Sequence, residues 1–339
     1  MPPTANAVTL RTMFVYAGID EAGYGPLFGP LLVGRAVFVL PDHPTPNEPP
    51  ALWQTLAKVV CRKPNDKRRR IAVNDSKKLT TPAAGLRHLE TGCLAFAGAA
   101  GHAPATLDNW LACLGERCHE TLDHLPWYAP CNDRPWNAIP TCVDAGELAI
   151  ARNMLTAGCK HAGVTVADVG AAVVLEDRFN KMVAATRSKA ATSFTFVANH
   201  LQHIWQTHGQ HAPFVAVDRQ GGRTHYRELL AINFPDTAMT VLEETPRRSA
   251  YRLQTGDRSM TVTFEVDAEQ AHMPVALASM ISKYTRELLM TRFNAYFTSH
   301  LPDVAPTAGY ATDAKRFYRD IEPALATLGI TREMLCRQA

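Results

Sequence analysis

Three separate apolar runs in this chain each end in an acid. Residues 13–19 lead into Asp20-Glu21, Phe214-Val-Ala-Val217 into Asp218, and Thr261-Val-Thr-Phe-Glu-Val266 into Asp267. Short apolar or alternating runs of this length read as strands. Strands that finish in carboxylates at one edge of a sheet are how an α/β fold gathers ligands from distant sequence positions. The first run says most, because the glycine-rich turn Ala-Gly23-Tyr24-Gly25-Pro26-Leu-Phe-Gly29-Pro30 follows its two acids at once. Neighbouring strand residues point to opposite faces, so Asp20 and Glu21 do not lie side by side. Hard oxygen ligands beside a bare backbone suit metal-dependent phosphodiester chemistry, and glycine allows the close approach. A dinucleotide loop fits less well, since Gly29 falls one residue late and Pro26 and Pro30 disfavour a helix opening there.

Composition sets the outer limits. A chain of 339 residues buries a sizeable core as one large domain or two small ones. No apolar run reaches membrane-spanning length, and Met-Pro-Pro-Thr-Ala-Asn-Ala at the start lacks the basic region and apolar core of a signal peptide. A cytoplasmic protein with no membrane partner is expected. The net charge of +3 neither demands nor excludes nucleic acid, but the basic segment 62–70 and Arg247, Arg248, Arg252 and Arg258 offer phosphate contacts or solvated loops. The eight cysteines include no CxxC pair. Cys113, Cys118-His119, Cys131 and Cys142 gather too loosely for a zinc site, so reduced thiols are expected.

Along the chain, 13–19 and 31–40 read as strands joined by the glycine-proline turn, 51–60 as a short helix, and Asn74-Asp75-Ser76-Lys77-Lys78-Leu79 as a polar turn before a helix. Residues 100–165, rich in His, Cys, Trp and Pro, read as an inserted, mostly helical subdomain. A strand is expected at 168–175, a long helix at 180–208 and another at 275–298, and a last helical stretch after Gly309-Tyr310. The expected division is 13–99 and 166–318 as two parts of one catalytic domain, 100–165 as the insertion and 319–339 as a helical tail.

Taken together, these segments resemble the ribonuclease HII family. Asp20-Glu21-Ala-Gly23-Tyr24-Gly25-Pro26 resembles its Asp-Glu-Ala-Gly-Arg-Gly-Pro motif, Asp75-Ser76-Lys77-Lys78-Leu79 its Asp-Ser-Lys-Lys-Leu motif, and Val217-Asp218 its Val-Asp-Gly step. Ala276 to Met290 is similar to its Ala-Ala-Ser-Ile-x-Ala-Lys-x-x-Arg-Asp helix, and Gly309-Tyr310-Ala311-Thr312 to its Gly-Tyr-x-Thr motif. The order is kept from about 13 to 318.

The resemblance implies an RNase H-like mixed sheet flanked by helices. It also implies a metal-dependent endonuclease: the substrate implied is an RNA–DNA hybrid or a DNA duplex carrying ribonucleotides, cut by a monomer to leave a 3′-hydroxyl. Asp20, Glu21, Asp218 and Asp267 would hold two Mg²⁺ or Mn²⁺ ions. Counting back from Ser279 without a gap reaches Glu269, which stands as the substitute fourth ligand; the strand-end argument selects Asp267. Gly23, Tyr24, Gly25, Ser76, Lys77, Lys78, Lys283 and Arg286 are the implied nucleic-acid contacts, and Tyr310 either stacks at the substrate or packs its loop.

Two departures stand out. Tyr24 replaces the family's arginine and Arg219 its glycine. Loss of a cation at position 24 puts junction specificity in question, and Arg219, Arg223 or the 246–258 segment are the available replacements. Two further readings remain open: a protein of this fold that binds nucleic acid without cutting, and a nuclease with a different structured substrate.

Overall fold

A computed structural model of the chain describes residues 13–41, 48–115, 122, 124–129 and 137–338. Its centre is a mixed sheet of seven strands in the order β5-β2-β1-β6-β9-β8-β7. These are β1 (Met13–Ala22), β2 (Leu31–Pro41), β5 (Thr165–Val174), β6 (Phe214–Asp218), β7 (Ala238–Glu244), β8 (Arg248–Thr255) and β9 (Arg258–Glu265). Short β3 (Val60–Cys61) and β4 (Ile71–Ala72) pair separately. The helices are α1 (Leu52–Thr55), α2 (Ser76–Leu79), α3 (Arg87–Ala99), α4 (Leu107–Leu114), α5 (Ala145–Ala162), α6 (Glu176–Thr186), α7 (Lys189–His208), α8 (Arg227–Asn233), α9 (Ala268–Ala271), α10 (Met273–His300), α11 (Ala311–Leu325) and α12 (Arg332–Leu335). The architecture is the mixed sheet flanked by helices that the motifs imply. None of the helices among the described residues is long and apolar enough to cross a membrane.

β1 runs antiparallel to β2 and parallel to β6, which runs parallel to β9. The parallel trio β1-β6-β9 therefore delivers its C-terminal ends to one edge. Its side chains alternate between two cores: Tyr16 belongs to the layer under α10, and Val15, Ala17 and Ile19 to the layer under α7. Strands covered on both faces read as near-continuous apolar runs, which is why β1, β2 and β6 are visible in the sequence.

α10 lies unusually close to the sheet because glycines face it. A Cβ at Gly18 would stand 2.1 Å from the Val275 nitrogen, and one at Gly34 would stand 2.5 Å from the Ala278 carbonyl oxygen. This proximity carries the serines of α10 to the acidic end of β1.

Several expectations meet local chemistry that alters them. The helix expected over 180–208 is two, because Arg187 takes a left-handed φ of 52° and the Ser188 hydroxyl caps α7 by accepting from the Ala191 N–H. β7 and β8, where no strand is expected, extend the sheet as antiparallel strands joined to β9. Residues from 100–165 share the α10 core: the Trp110 indole donates to Thr285 Oγ1 at 2.9 Å, and the Arg292 guanidinium reaches Asp108 at 2.6 Å. Cys118, His119 and Cys131 lie outside the described residues.

Candidate active site

The carboxylates of Asp20, Glu21, Asp218 and Glu269 converge at the C-terminal edge of the parallel strands. Asp20 faces α10, where it hydrogen-bonds the Ser279 hydroxyl and accepts the Glu21 N–H at 2.7 Å. Ser279 shares a 3.1 Å hydrogen bond with Ser76, so α2 reaches the cluster through two hydroxyls. Glu21 faces the other way, as strand alternation requires. Its Oε2 accepts from the Gln220 amide at 2.9 Å, and that amide also donates to Ser193 Oγ at 2.8 Å. Asp218 ends β6 and accepts the Ala268 N–H at 3.0 Å.

The fourth position turns on one backbone angle. β9 stops at Glu265, and Asp267 follows in a left-handed conformation with φ of 58°. Asp is among the few side chains that tolerate this region. The turn swings Asp267 outward, where its half-exposed carboxylate meets Arg247 at 3.4 Å. It also lays the first turn of α9 over the strand end, bringing Glu269 within hydrogen-bonding reach of Asp218. Of the two fourth acids considered, Glu269 is thus the one that meets Asp218.

The electrostatics are those of charges crowded without a counter-charge. Burial first, then Asp218 and Glu21, push the Asp20 carboxyl well above the ordinary range, against the pull of Ser279 and the Glu21 N–H. Burial raises Glu21, with Gln220 opposing. Burial and then Glu269 lift Asp218 to about 7, with the Ala268 N–H opposing. Among the described residues, none of the four acids is in an ion pair with Lys, Arg or His, whereas neighbouring Glu265 pairs with Arg248 and His272 and Asp267 with Arg247. Four hard oxygen donors, with Asp20 and Asp218 pushed up by burial and then by neighbouring carboxylates, fit a divalent cation by their chemistry. As the side chains stand, no three acidic, His or Cys groups among the described residues are arranged to hold an ion.

The surrounding turns meet the expected contacts in different ways. Lys77 and Lys78 are exposed on α2, beneath the N-cap that the Asp75 side chain makes to the Lys77 N–H. Ser76 is buried and holds Ser279 rather than facing solvent. Lys283 is ion-paired with Glu287 at 2.5 Å. Arg286 has no surface to offer a phosphate, because α10 is packed on all sides at this level: its guanidinium is fully buried and donates to the Phe28 and Ala308 carbonyls. That guanidinium also lies 5.1 Å from the ring of Tyr310, which is 44% exposed. Gly309 accepts from the Leu27 and Phe28 N–H groups, so the two glycine motifs are joined directly.

Tyr24 is half-buried at the tip of the first turn. Burial and Glu21 push its phenol up while Arg223 draws it down, which puts both charges at the ring. Arg223 also lines a cleft of about 410 Å³ with His225, Arg227 and Glu244. Gly25 beside it is exposed, and a Cβ there would meet nothing within 4 Å. Gln220 and Ser193 were not singled out by the sequence, and Ser279 entered there as a motif residue without a role at the acids; only the spacing of Gln220 two residues after Asp218 hinted at a shared site.

No protein-family model matches the chain, and no curated protein does. Among solved structures it is similar to RNase HII of Archaeoglobus fulgidus, from a complex with PCNA, at 15% identity over 96% of this chain and 94% of that one, with a TM-score of 0.39. It is similar to ribonuclease H2 of Pyrococcus horikoshii at 15% identity over 95% and 92%, with a TM-score of 0.42. It is also similar to Bst-RNase HIII in complex with Mn²⁺ at 13% identity over 97% and 67%, with a TM-score of 0.42. At these identities and scores the likeness leaves the chemistry to this chain's own residues.

Proposed function

We propose that this protein is a metal-dependent endonuclease that cuts the RNA strand of RNA–DNA hybrids, or ribonucleotides embedded in duplex DNA. The observation that carries the reading is the meeting of four carboxylates, free of ion pairs, beside an exposed glycine turn. Asp20, Glu21, Asp218 and Glu269 would hold two Mg²⁺ or Mn²⁺ ions, which when bound activate a water and stabilise the leaving 3′ oxygen. Proximity to Asp218 supports Glu269 over Asp267 as the fourth ligand.

The chain's own groups prepare the site. The Ser76–Ser279 pair and the Glu21 N–H fix the orientation of Asp20, and Gln220 fixes that of Glu21. Lys77 and Lys78 face the solvent, where a sugar-phosphate backbone would pass. Arg62 brings the basic segment 62–70 alongside by donating to the Gln270 carbonyl at 2.8 Å. Gly25 leaves room for a backbone, and an approach there reaches a 2′-hydroxyl, the group that separates RNA from DNA. Arg223 supplies a cation next to Tyr24 where the family motif carries one on residue 24 itself.

The test is cleavage of a continuous hybrid and of a DNA duplex with one ribonucleotide, each with Mg²⁺, Mn²⁺ or EDTA, alongside Asp20→Asn. Metal-dependent cutting that the substitution abolishes establishes the nuclease. Tight binding with no cutting under any condition refutes it in favour of a nucleic-acid-binding protein.

A further inference from the structure

The turn 23–29 is suspended from beneath by three buried charged side chains that come from distant parts of the chain. Glu176 at the start of α6 is fully buried, and its Oε1 accepts the Gly29 N–H at 3.0 Å and the Tyr128 hydroxyl at 2.8 Å. Arg286 on α10 holds the Phe28 carbonyl at 3.0 Å. Arg337, only 3% exposed, donates to the Pro26 carbonyl at 2.6 and 3.1 Å and to the Tyr24 carbonyl at 3.5 Å, while its own N–H bonds the Leu27 carbonyl at 2.8 Å.

Arg337 lies in the segment expected to be a mere tail. That segment is docked. The Asn180 amide donates to the Glu333 and Cys336 carbonyls at 2.9 and 2.7 Å, and its oxygen accepts the Gln338 N–H at 2.7 Å. The Arg337 guanidinium then passes 4.9 Å from the Phe179 ring to reach the turn. A planar fork that takes two carbonyls from one side fixes a loop in a way a single ammonium does not.

We infer that Arg337 is a positioning residue of the nucleic-acid site, clamping the carbonyls of Tyr24 and Pro26 inward so that the bare backbone at Gly25 is presented outward in one conformation. The inference rests on the proposed nuclease reading for its functional half, and its structural half is independent. Holding a turn in its bound shape lowers the ordering cost of binding, so the clamp acts on substrate affinity more than on the chemical step.

Hydrogen–deuterium exchange of the parent, Arg337→Gln, Arg337→Lys and Asn180→Ala tests it, with cleavage kinetics measured on the same preparations. In Arg337→Gln the amides of 23–29 should exchange about tenfold faster while those of β1 and β2 stay unchanged, as local opening requires. KM for the duplex should rise about tenfold, with kcat within about threefold, when the guanidinium's hydrogen bonds to the turn are lost. Arg337→Lys should fall between, and Asn180→Ala, which undocks the segment without removing the guanidinium, should reproduce the pattern. Unchanged exchange in the turn overturns the clamp, as does a uniform rise through β1 and β2 in both Arg337→Gln and Asn180→Ala, which marks a purely structural role. Faster exchange with unaltered KM overturns its link to binding. If the parent cuts neither duplex, the nuclease reading fails by itself and the exchange result still decides the clamp.

Discussion

Asp218→Asn should make the protein more stable, and only above acidic pH. Asparagine keeps the oxygen that accepts the Ala268 N–H and removes the charge that Glu269 opposes. The folded carboxyl sits at about 7 against an ordinary 3.8, so between these values the folded state binds more protons than the unfolded one. Stability of the parent therefore falls as pH rises from about 4 to about 7, the direction that linkage requires for a raised carboxyl. The full rise corresponds to a ceiling of roughly 4 kcal/mol. Asp218 is partly open to solvent, and screening brings the expected gain nearer 2 kcal/mol. For a chain of this size that is roughly 3 °C in Tm. Thermal melts of parent and variant in EDTA, from pH 4 to pH 8, measure it. The curves should converge at pH 4 and part by pH 8, and millimolar Mg²⁺ should raise the parent's Tm more than the variant's. Parallel curves at all pH values would falsify the claim that this acid is charged at a cost in the folded protein.

Other outcomes follow from single contacts. Gly25→Ala should leave Tm within error, since its Cβ meets nothing, yet raise KM for a hybrid if the backbone approaches there. Gly34→Ala places a Cβ 2.5 Å from the Ala278 carbonyl oxygen and should destabilise by about 1–3 kcal/mol, read by urea unfolding. Despite its burial, Asp168 is held at about 2 by His203 and Arg35, so its contribution is present above about pH 4 and lost as pH falls toward 2; Asp168→Asn should flatten that acid limb of the stability profile. Tyr24→Arg should change the rate ratio between the single-ribonucleotide duplex and the continuous hybrid, and an unchanged ratio refutes a role for residue 24 in that choice.

The sequence disclosed the parts of the site that hydrophobic burial writes into it. β1 and β6 are covered on both faces, so their apolar runs are continuous and their terminal acids conspicuous. Glu269 was harder to separate from Asp267, because the choice depends on a single left-handed residue, and side-chain type permits that geometry without requiring it. Arg286 looked like a surface cation on a helix. α10 is buried nearly all round, and a helix with no clear polar face was the available sign that its arginine points inward. β7 and β8 escaped notice because much of β7 is exposed, which leaves its alternation without a strong apolar member on every second residue. The docking of Arg337 has no local signature at all: its partners are backbone carbonyls, and every residue of any sequence has one to accept with.

The glycine turn carries a consequence for how the molecule comes into being. Its ties span the chain: Gln220 meets Glu21 across 199 positions, and Arg337 meets Tyr24 across 313. Contacts of such separation form late, after loop-closure entropy has been met by other structure. A growing or partly folded chain therefore holds its strands before it holds a working cleft. Competence at this edge is acquired only by the finished fold, and a fragment that retains the acids of β1 and β6 but lacks the distal segment should be folded in its sheet and idle at its site.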